Sequence, residues 1–130
     1  MTEYLFVYGT LRRADSHPMA DWLGGVSVHL GPAKMAGRLY LLGNYPGMLA
    51  ADGEDQWVQG ELYQLPNAET AWPRLDAYEA CKPDDPSRSL FVRAQGEAVT
   101  PDGRSFAAWA YFYNKEVSEE QRIADGDYAG

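Results

Sequence analysis

Apolar and polar positions alternate with period two over residues 3–8, where Tyr4, Phe6 and Tyr8 oppose Leu5 and Val7. A strand is predicted there, ending abruptly at Gly9. Over 15–24, Met19, Trp22 and Leu23 recur at helical spacing ahead of Gly24-Gly25. That predicts a short helix with Ser16 as a possible cap and Pro18 in its first turn. Residues 26–31 and 35–42 read as two strands broken at Gly31-Pro32. A Pro-Gly turn and a short apolar stretch follow over 44–50, then a turn at 52–55. Residues 57–65 alternate again, and Gly60 within them implies a bulge or a close backbone approach. The strongest helical pattern is 67–80, with Asn67 in cap position and Pro73 predicting a kink or a fresh start. A polar loop (82–89) leads to strands at 90–100 and 105–114, joined by the hairpin signal Pro101-Asp102-Gly103-Arg104. The acidic tail 115–130 has room for one short helix before an irregular end.

The order is strand, helix, two strands, a turn, strand, helix, two strands and a tail. Six or seven strands with two short helices predict an α+β domain built on a strongly curved sheet or small barrel. The 130 residues suit one domain, 1–130, with a single core. No apolar run reaches the ~20 residues that span a bilayer. The N-terminus enters a strand pattern at Glu3 rather than an apolar leader, so a cytoplasmic location without membrane contact is expected.

The single cysteine, Cys81, excludes an intrachain disulfide and a cysteine-built zinc site. A net charge of −8 argues against a nucleic-acid partner, which needs a basic surface. A small anion held by backbone N–H groups or one arginine remains compatible with it. Nine tyrosines suit β structure and an aromatic-lined pocket. The oligomeric default is a monomer.

Phosphate-binding and dinucleotide-binding glycine patterns are both missing. His17 and His29 form no spaced metal pair and no dyad. Cys81 follows a helix C-terminus, where the helix dipole disfavours a thiolate. Four features remain. Tyr8-Gly9-Thr10-Leu11 forms a turn where glycine permits unusual angles and close ligand approach, and successive N–H groups make an anion cradle. The same residues fit a plain strand-to-loop turn. Asp76 and Glu79, at spacing i, i+3, share a helix face amid Leu75, Ala77, Tyr78 and Ala80. An apolar setting raises a carboxyl pKa toward that of a general base; a solvated face is the simpler alternative. Arg93 shares a strand face with Phe91 and Gln95 and can pair with a carboxylate such as Asp76 or with a ligand. Tyr45 and Pro46 offer a pocket wall or ordinary loop packing.

The stretches 6–13, 37–49, 58–65, 75–80, 90–93 and 108–114, with the closing 124–130, resemble in this order the gamma-glutamylcyclotransferase-like family. That family includes gamma-glutamylamine cyclotransferases and the butirosin-pathway cyclotransferase. The resemblance implies a compact mixed β-barrel with short flanking helices. It also implies a pocket in which a Tyr-Gly-(Ser/Thr)-Leu loop faces an acidic residue. Carried over, the loop is Tyr8, Gly9, Thr10 and Leu11 and the acid is Glu79, with Tyr45, Arg93 and Tyr113 as further substrate-binding residues. The family's Tyr-x-Arg reads Phe91-Val92-Arg93 here, so one phenol hydroxyl is missing. The implied chemistry, of lyase or transferase type, closes a gamma-glutamyl group on itself, releasing 5-oxoproline and a free amine. It uses no metal or cofactor. Contacts to the leaving group are expected from 44–50 and 82–89. A non-catalytic metabolite-binding module on the same fold, or a partner-binding domain with an acidic face, are the competing classes.

Overall fold

The computed structural model describes residues 2–9, 18–43 and 45–128. Thr10, Leu11, Ser16 and His17, named above, lie outside the described residues. Among the described residues there are seven strands, β1 (Glu3–Val7), β2 (Val28–Ala36), β3 (Arg38–Leu41), β4 (Pro46–Leu49), β5 (Trp57–Leu65), β6 (Phe91–Val99) and β7 (Ser105–Tyr113). Two helices accompany them among the described residues, α1 (Pro18–Val26) and α2 (Ala68–Tyr78), with short 3-10 turns at Pro86–Arg88 and Glu119–Gln121.

The strands form one sheet in the order β1-β5-β2-β6-β7-β4-β3. A parallel pairing of β1 with β7, at Leu5 and Trp109, closes the first five into a barrel. The other two strands extend it outside. β6 covers one edge of β7 along its whole length. The other edge therefore serves two strands, β1 at Trp109 and β4 at Phe112. The α+β barrel with two helices is the architecture expected from the alternating pattern.

Alternation in β1 sorts its side chains into two cores. Phe6 and Tyr8 pack with Met35, Val58, Leu62, Ala98, Ala108 and Ala110 inside the barrel. Leu5 and Val7 pack outside it with Leu23 of α1 and Ala68, Ala71 and Leu75 of α2. A five-stranded barrel is narrow, and small residues make room for the large ones. At Gly60 an added Cβ would strike the Val7 carbonyl and lie 2.7 Å from Phe6 Cζ. The close approach expected from Gly60 is therefore made to its paired neighbour β1, at Val7 and Phe6.

Several local expectations are corrected. The chain does not break at Gly31-Pro32: β2 runs through both, and a bulge between His29 and Gly31 absorbs the irregularity. β2 meets β6 at Lys34 and Met35, beyond Pro32, so the missing proline N–H costs no ladder bond on that side. The break falls at Gly37, where a Cβ would lie 2.9 Å from the Leu49 carbonyl oxygen. Pro46-Gly47 is not a free turn but the start of β4, paired with β3. α1 continues through Gly24-Gly25 to Val26. α2 neither stops nor restarts at Pro73, and the Asn67 side chain makes no cap bond. Instead the Asn67 carbonyl accepts from the Thr70 N–H and hydroxyl at 3.1 and 2.8 Å. Among the described residues, no helix is long and apolar enough to cross a membrane.

Candidate active site

Where β1 and β4 share one edge of β7, the strands splay and leave a cavity of about 370 Å³. β1 and its exit contribute Phe6, Val7, Tyr8 and Gly9, and the entry to β4 contributes Tyr45 and Pro46. The opposite side is the end of α2 with Tyr78 and Glu79, the approach to β6 with Leu90 and Phe91, and Tyr111 of β7. Among these described residues Glu79 is the single carboxylate, and the rest of the wall is aromatic or apolar.

Glu79 occupies its position because α2 ends on it. The Ala80 N–H returns to the Ala77 carbonyl at 3.3 Å and the Cys81 N–H to the Asp76 carbonyl at 2.8 Å. This pair of bonds is the usual left-handed helix ending, which places Glu79 at the cap and Ala80 in the left-handed region at φ 51°. Glycine is the common residue there; alanine is strained. The Glu79 carboxyl makes no hydrogen bond or ion pair with another described residue. Burial against the aromatic wall pushes its pKa up to about 7. The negative end of the helix acts in the same direction.

Tyr8 does not present its hydroxyl to the cavity as a free group. The hydroxyl donates to the Tyr111 carbonyl at 2.5 Å and accepts from the Met48 N–H at 3.2 Å. It thereby stitches β1, β7 and β4 together where they diverge. Burial, and secondarily the nearby Glu79 charge, hold its pKa well above the usual phenol value. Gly9 is wanted for closeness rather than for unusual angles: a Cβ there would sit 3.1 Å from Pro46 Cγ. The β1 exit can thus lie flat against the Tyr45–Pro46 wall.

The structure brings Tyr8, Gly9, Tyr45 and Glu79 to this one cavity. Arg93 is not part of its lining. Its Nε and Nη2 donate to the two Asp76 carboxylate oxygens at 3.0 and 3.3 Å. The guanidinium also lies over the rings of Trp72 and Trp109, at 4.3 and 5.2 Å. Tyr113 likewise lies outside the lining and packs on Phe91, with ring centroids 5.4 Å apart. Tyr111, two residues earlier on the same face, lines the cavity, and its hydroxyl donates to Asp76 at 2.6 Å. Sequence reasoning passed over Tyr111, Tyr78 and Leu90. The period-two run Trp109, Tyr111, Tyr113 marks the right face of β7, and register decides which tyrosine reaches the cavity. Cys81 is nearby but buried, and burial foremost raises its thiol pKa. Among the described residues no group of three or more His, Cys, Asp or Glu could hold a metal.

The family model described as gamma-glutamyl cyclotransferase, AIG2-like, matches residues 5–130. A gamma-L-glutamyl-butirosin B gamma-glutamyl cyclotransferase from Niallia circulans is 34% identical over 122 residues, covering 93% of this chain and 73% of the relative. The gamma-glutamylcyclotransferase family protein YtfP of Escherichia coli K12 is 34% identical over 128 residues, covering 95% and 94%. The crystal structure of an AIG2-like protein from Mus musculus superposes with a TM-score of 0.74, at 22% identity, over 98% of this chain and 88% of that one. That last likeness speaks for the fold.

Proposed function

Since this chain belongs to the gamma-glutamyl cyclotransferase, AIG2-like family, we propose that it cyclises a gamma-glutamyl amide, with Glu79 as general base and then general acid. The substrate's free α-amine attacks its own γ-carbonyl carbon and closes a five-membered ring. Glu79 takes the proton that the amine must lose. The carbon–nitrogen bond to the leaving group then breaks, and Glu79 returns a proton to the departing nitrogen. The products are 5-oxoproline and a free amine, and the atoms balance without water or a redox partner. Both reacting groups belong to one molecule, so holding the chain folded supplies much of the acceleration. Backbone N–H groups of residues 9–11 are the candidate donors to the developing oxyanion or to the substrate carboxylate; Thr10 and Leu11 lie outside the described residues.

The observation that carries this reading is the Glu79 carboxyl, directed into a cavity otherwise lined by aromatic and apolar groups and held near pKa 7 by burial. A group poised there exchanges protons efficiently at neutral pH. Gamma-glutamyl amino acids, gamma-glutamyl-lysine isopeptides and other gamma-glutamyl amines are the substrates to screen for 5-oxoproline release. The wild-type protein is expected to turn over at least one. Glu79→Gln is expected to fold and to lose ~10²–10⁴-fold in rate. Retained turnover in that variant contradicts the mechanism. Stabilisation by 5-oxoproline without any turnover supports instead a binding module on the same fold.

A further inference from the structure

The Glu79 carboxyl makes no hydrogen bond or ion pair with another described residue, so its aim depends on the backbone that carries it. That backbone is the last turn of α2. Asp76, one turn earlier and only 7% exposed, ties the turn to two other elements. Arg93 of β6 donates two bonds to its carboxylate, and Tyr111 of β7 donates a third. The Asp76 carbonyl also accepts the Cys81 N–H that closes the turn around Glu79. Arg93 has little freedom itself, lying over Trp72 of α2 and Trp109 of β7. Tyr111 carries the connection onward, because its carbonyl accepts the Tyr8 hydroxyl, which in turn accepts the Met48 N–H. One polar chain thus runs from the β4 wall of the cavity to the helix end that bears the acid.

We propose that Asp76, Arg93 and Tyr111 are positioning residues for Glu79, fixing the final turn of α2 so that the carboxyl stays in the cavity at one distance from the substrate nitrogen. The inference rests on the reading of Glu79 as the acid–base group. A planar two-pronged arginine suits the task better than a lysine, because it fixes the direction of the carboxylate as well as its charge. Proton transfer needs heavy atoms about 2.6–3.2 Å apart, and a 1 Å misplacement costs roughly 10²-fold. An acid with no direct anchor among the described residues is unusually dependent on such a frame. Of the described residues, the other titratable groups lining the cavity are Tyr8, Tyr45, Tyr78 and Tyr111. Burial holds Tyr8 and Tyr111 above the ordinary phenol range, so both stay neutral at the pH of the test.

Three variants test the frame: Tyr111→Phe, Arg93→Lys and Asp76→Asn. Tyr111→Phe keeps the ring on the cavity wall and removes one bond, and Arg93→Lys keeps the charge and removes the fork. Glu79 is titrated by carbon NMR of its side-chain carboxyl, assigned by its disappearance in Glu79→Gln. A loosened turn admits water, so in Tyr111→Phe and Arg93→Lys the carboxyl is expected to titrate lower, nearer an ordinary glutamate. On a substrate the wild type turns over, kcat is expected to fall about tenfold or more with KM little changed, as befits a group acting in the transition state. Folded variants in which Glu79 titrates as in wild type overturn the proposal, however much their melting temperatures drop. Should Asp76→Asn fail to fold, Tyr111→Phe decides. A wild type with no turnover counts against the enzymatic reading, while the titration still decides this one.

Discussion

Glu79 ionises in surroundings that disfavour its charge, and this has a consequence for stability as well as for proton transfer. Its pKa is raised from 4.5 to about 7 in the folded chain. The folded state therefore binds this proton more tightly than the unfolded state does. Below about pH 4.5 the group is protonated in both states and costs nothing. Between about 4.5 and 7 stability falls as the unfolded chain ionises freely and the folded chain does so at a cost. Above 7 the full penalty stands, at most ~3 kcal/mol. Glu79→Gln removes that charge at nearly constant shape. It is expected to unfold at a higher temperature than wild type at pH 8, and the gap is expected to close as pH falls toward 4.5. Thermal unfolding at several pH values checks this, and a wild type as stable as the variant at pH 8 contradicts it. Glu79 was legible as a candidate because a carboxylate in an apolar helical stretch is chemically odd. Arg93 was legible as an ion-pair partner of Asp76, which is where the structure places it. Tyr8 was legible as a strand residue and as the first residue of the candidate cradle, but not as a stitch between strands, since its hydroxyl's two partners come from segments far away in sequence.

At the scale of elements, α2 shows what periodicity reveals and what it hides. Its existence follows from the spacing of Ala68, Ala71, Leu75 and Asp76, all buried on one side. Its passage through Pro73 does not. Pro73 has no N–H to donate one turn back, but this stretch of the helix is exposed at Glu69 and Pro73, so the loss there is tolerated. The ending is equally hidden, because no glycine marks it. Ala80 takes the left-handed conformation that glycine usually supplies, at a strain of roughly 1–2 kcal/mol. Ala80 is exposed, so its methyl contributes little packing. Ala80→Gly is expected to stabilise the protein by about 0.5–1 kcal/mol, the relieved strain less the extra freedom of glycine in the unfolded chain. Denaturant unfolding measures it, and a lower midpoint would show that the turn is not strained. The β2 strand was hidden for a related reason: Gly31-Pro32 reads as a stop, yet a bulge and an uncovered edge accommodate both.

At the scale of the whole molecule, the cavity exists because the barrel closes and then runs out of edge. β7 gives one side to β1 and, farther along, to β4, and the site opens between them. Alternation announces half-buried strands but contains nothing about which strand closes on which, so the sequence foretells a curved sheet and not this seam. Register had the same opacity, leaving Tyr111 and Tyr113 indistinguishable until β7 was placed against β6. Closure rests on the pairing of β1 with β7, and at Gly60 the β5 backbone lies close against Val7 and Phe6 of β1. Gly60→Ala is expected to cost about 3 kcal/mol, since the added carbon meets the backbone of Val7 and the ring of Phe6. Activity should fall with it, because Val7 to Gly9 form the cavity rim. Gly24→Ala offers the contrast. Nothing lies within 4 Å of its Cβ position in α1, so a gain of up to about 1 kcal/mol is expected. Chemical denaturation of the pair gives opposite signs if the tight contact at Gly60 limits the barrel, and equal effects if it does not.

The central claim is that one carboxyl in the cavity wall moves the proton. Its most direct test is the pH dependence of kcat/KM for 5-oxoproline release from a gamma-glutamyl amine that the protein turns over, since this ratio reports the ionisations of the free enzyme. The account expects activity to rise tenfold per pH unit on the acid side and to level off through a pKa near 7. The residual activity of Glu79→Gln should lack that limb. A wild-type profile flat between pH 5 and 7, or the same limb persisting in Glu79→Gln, would contradict it.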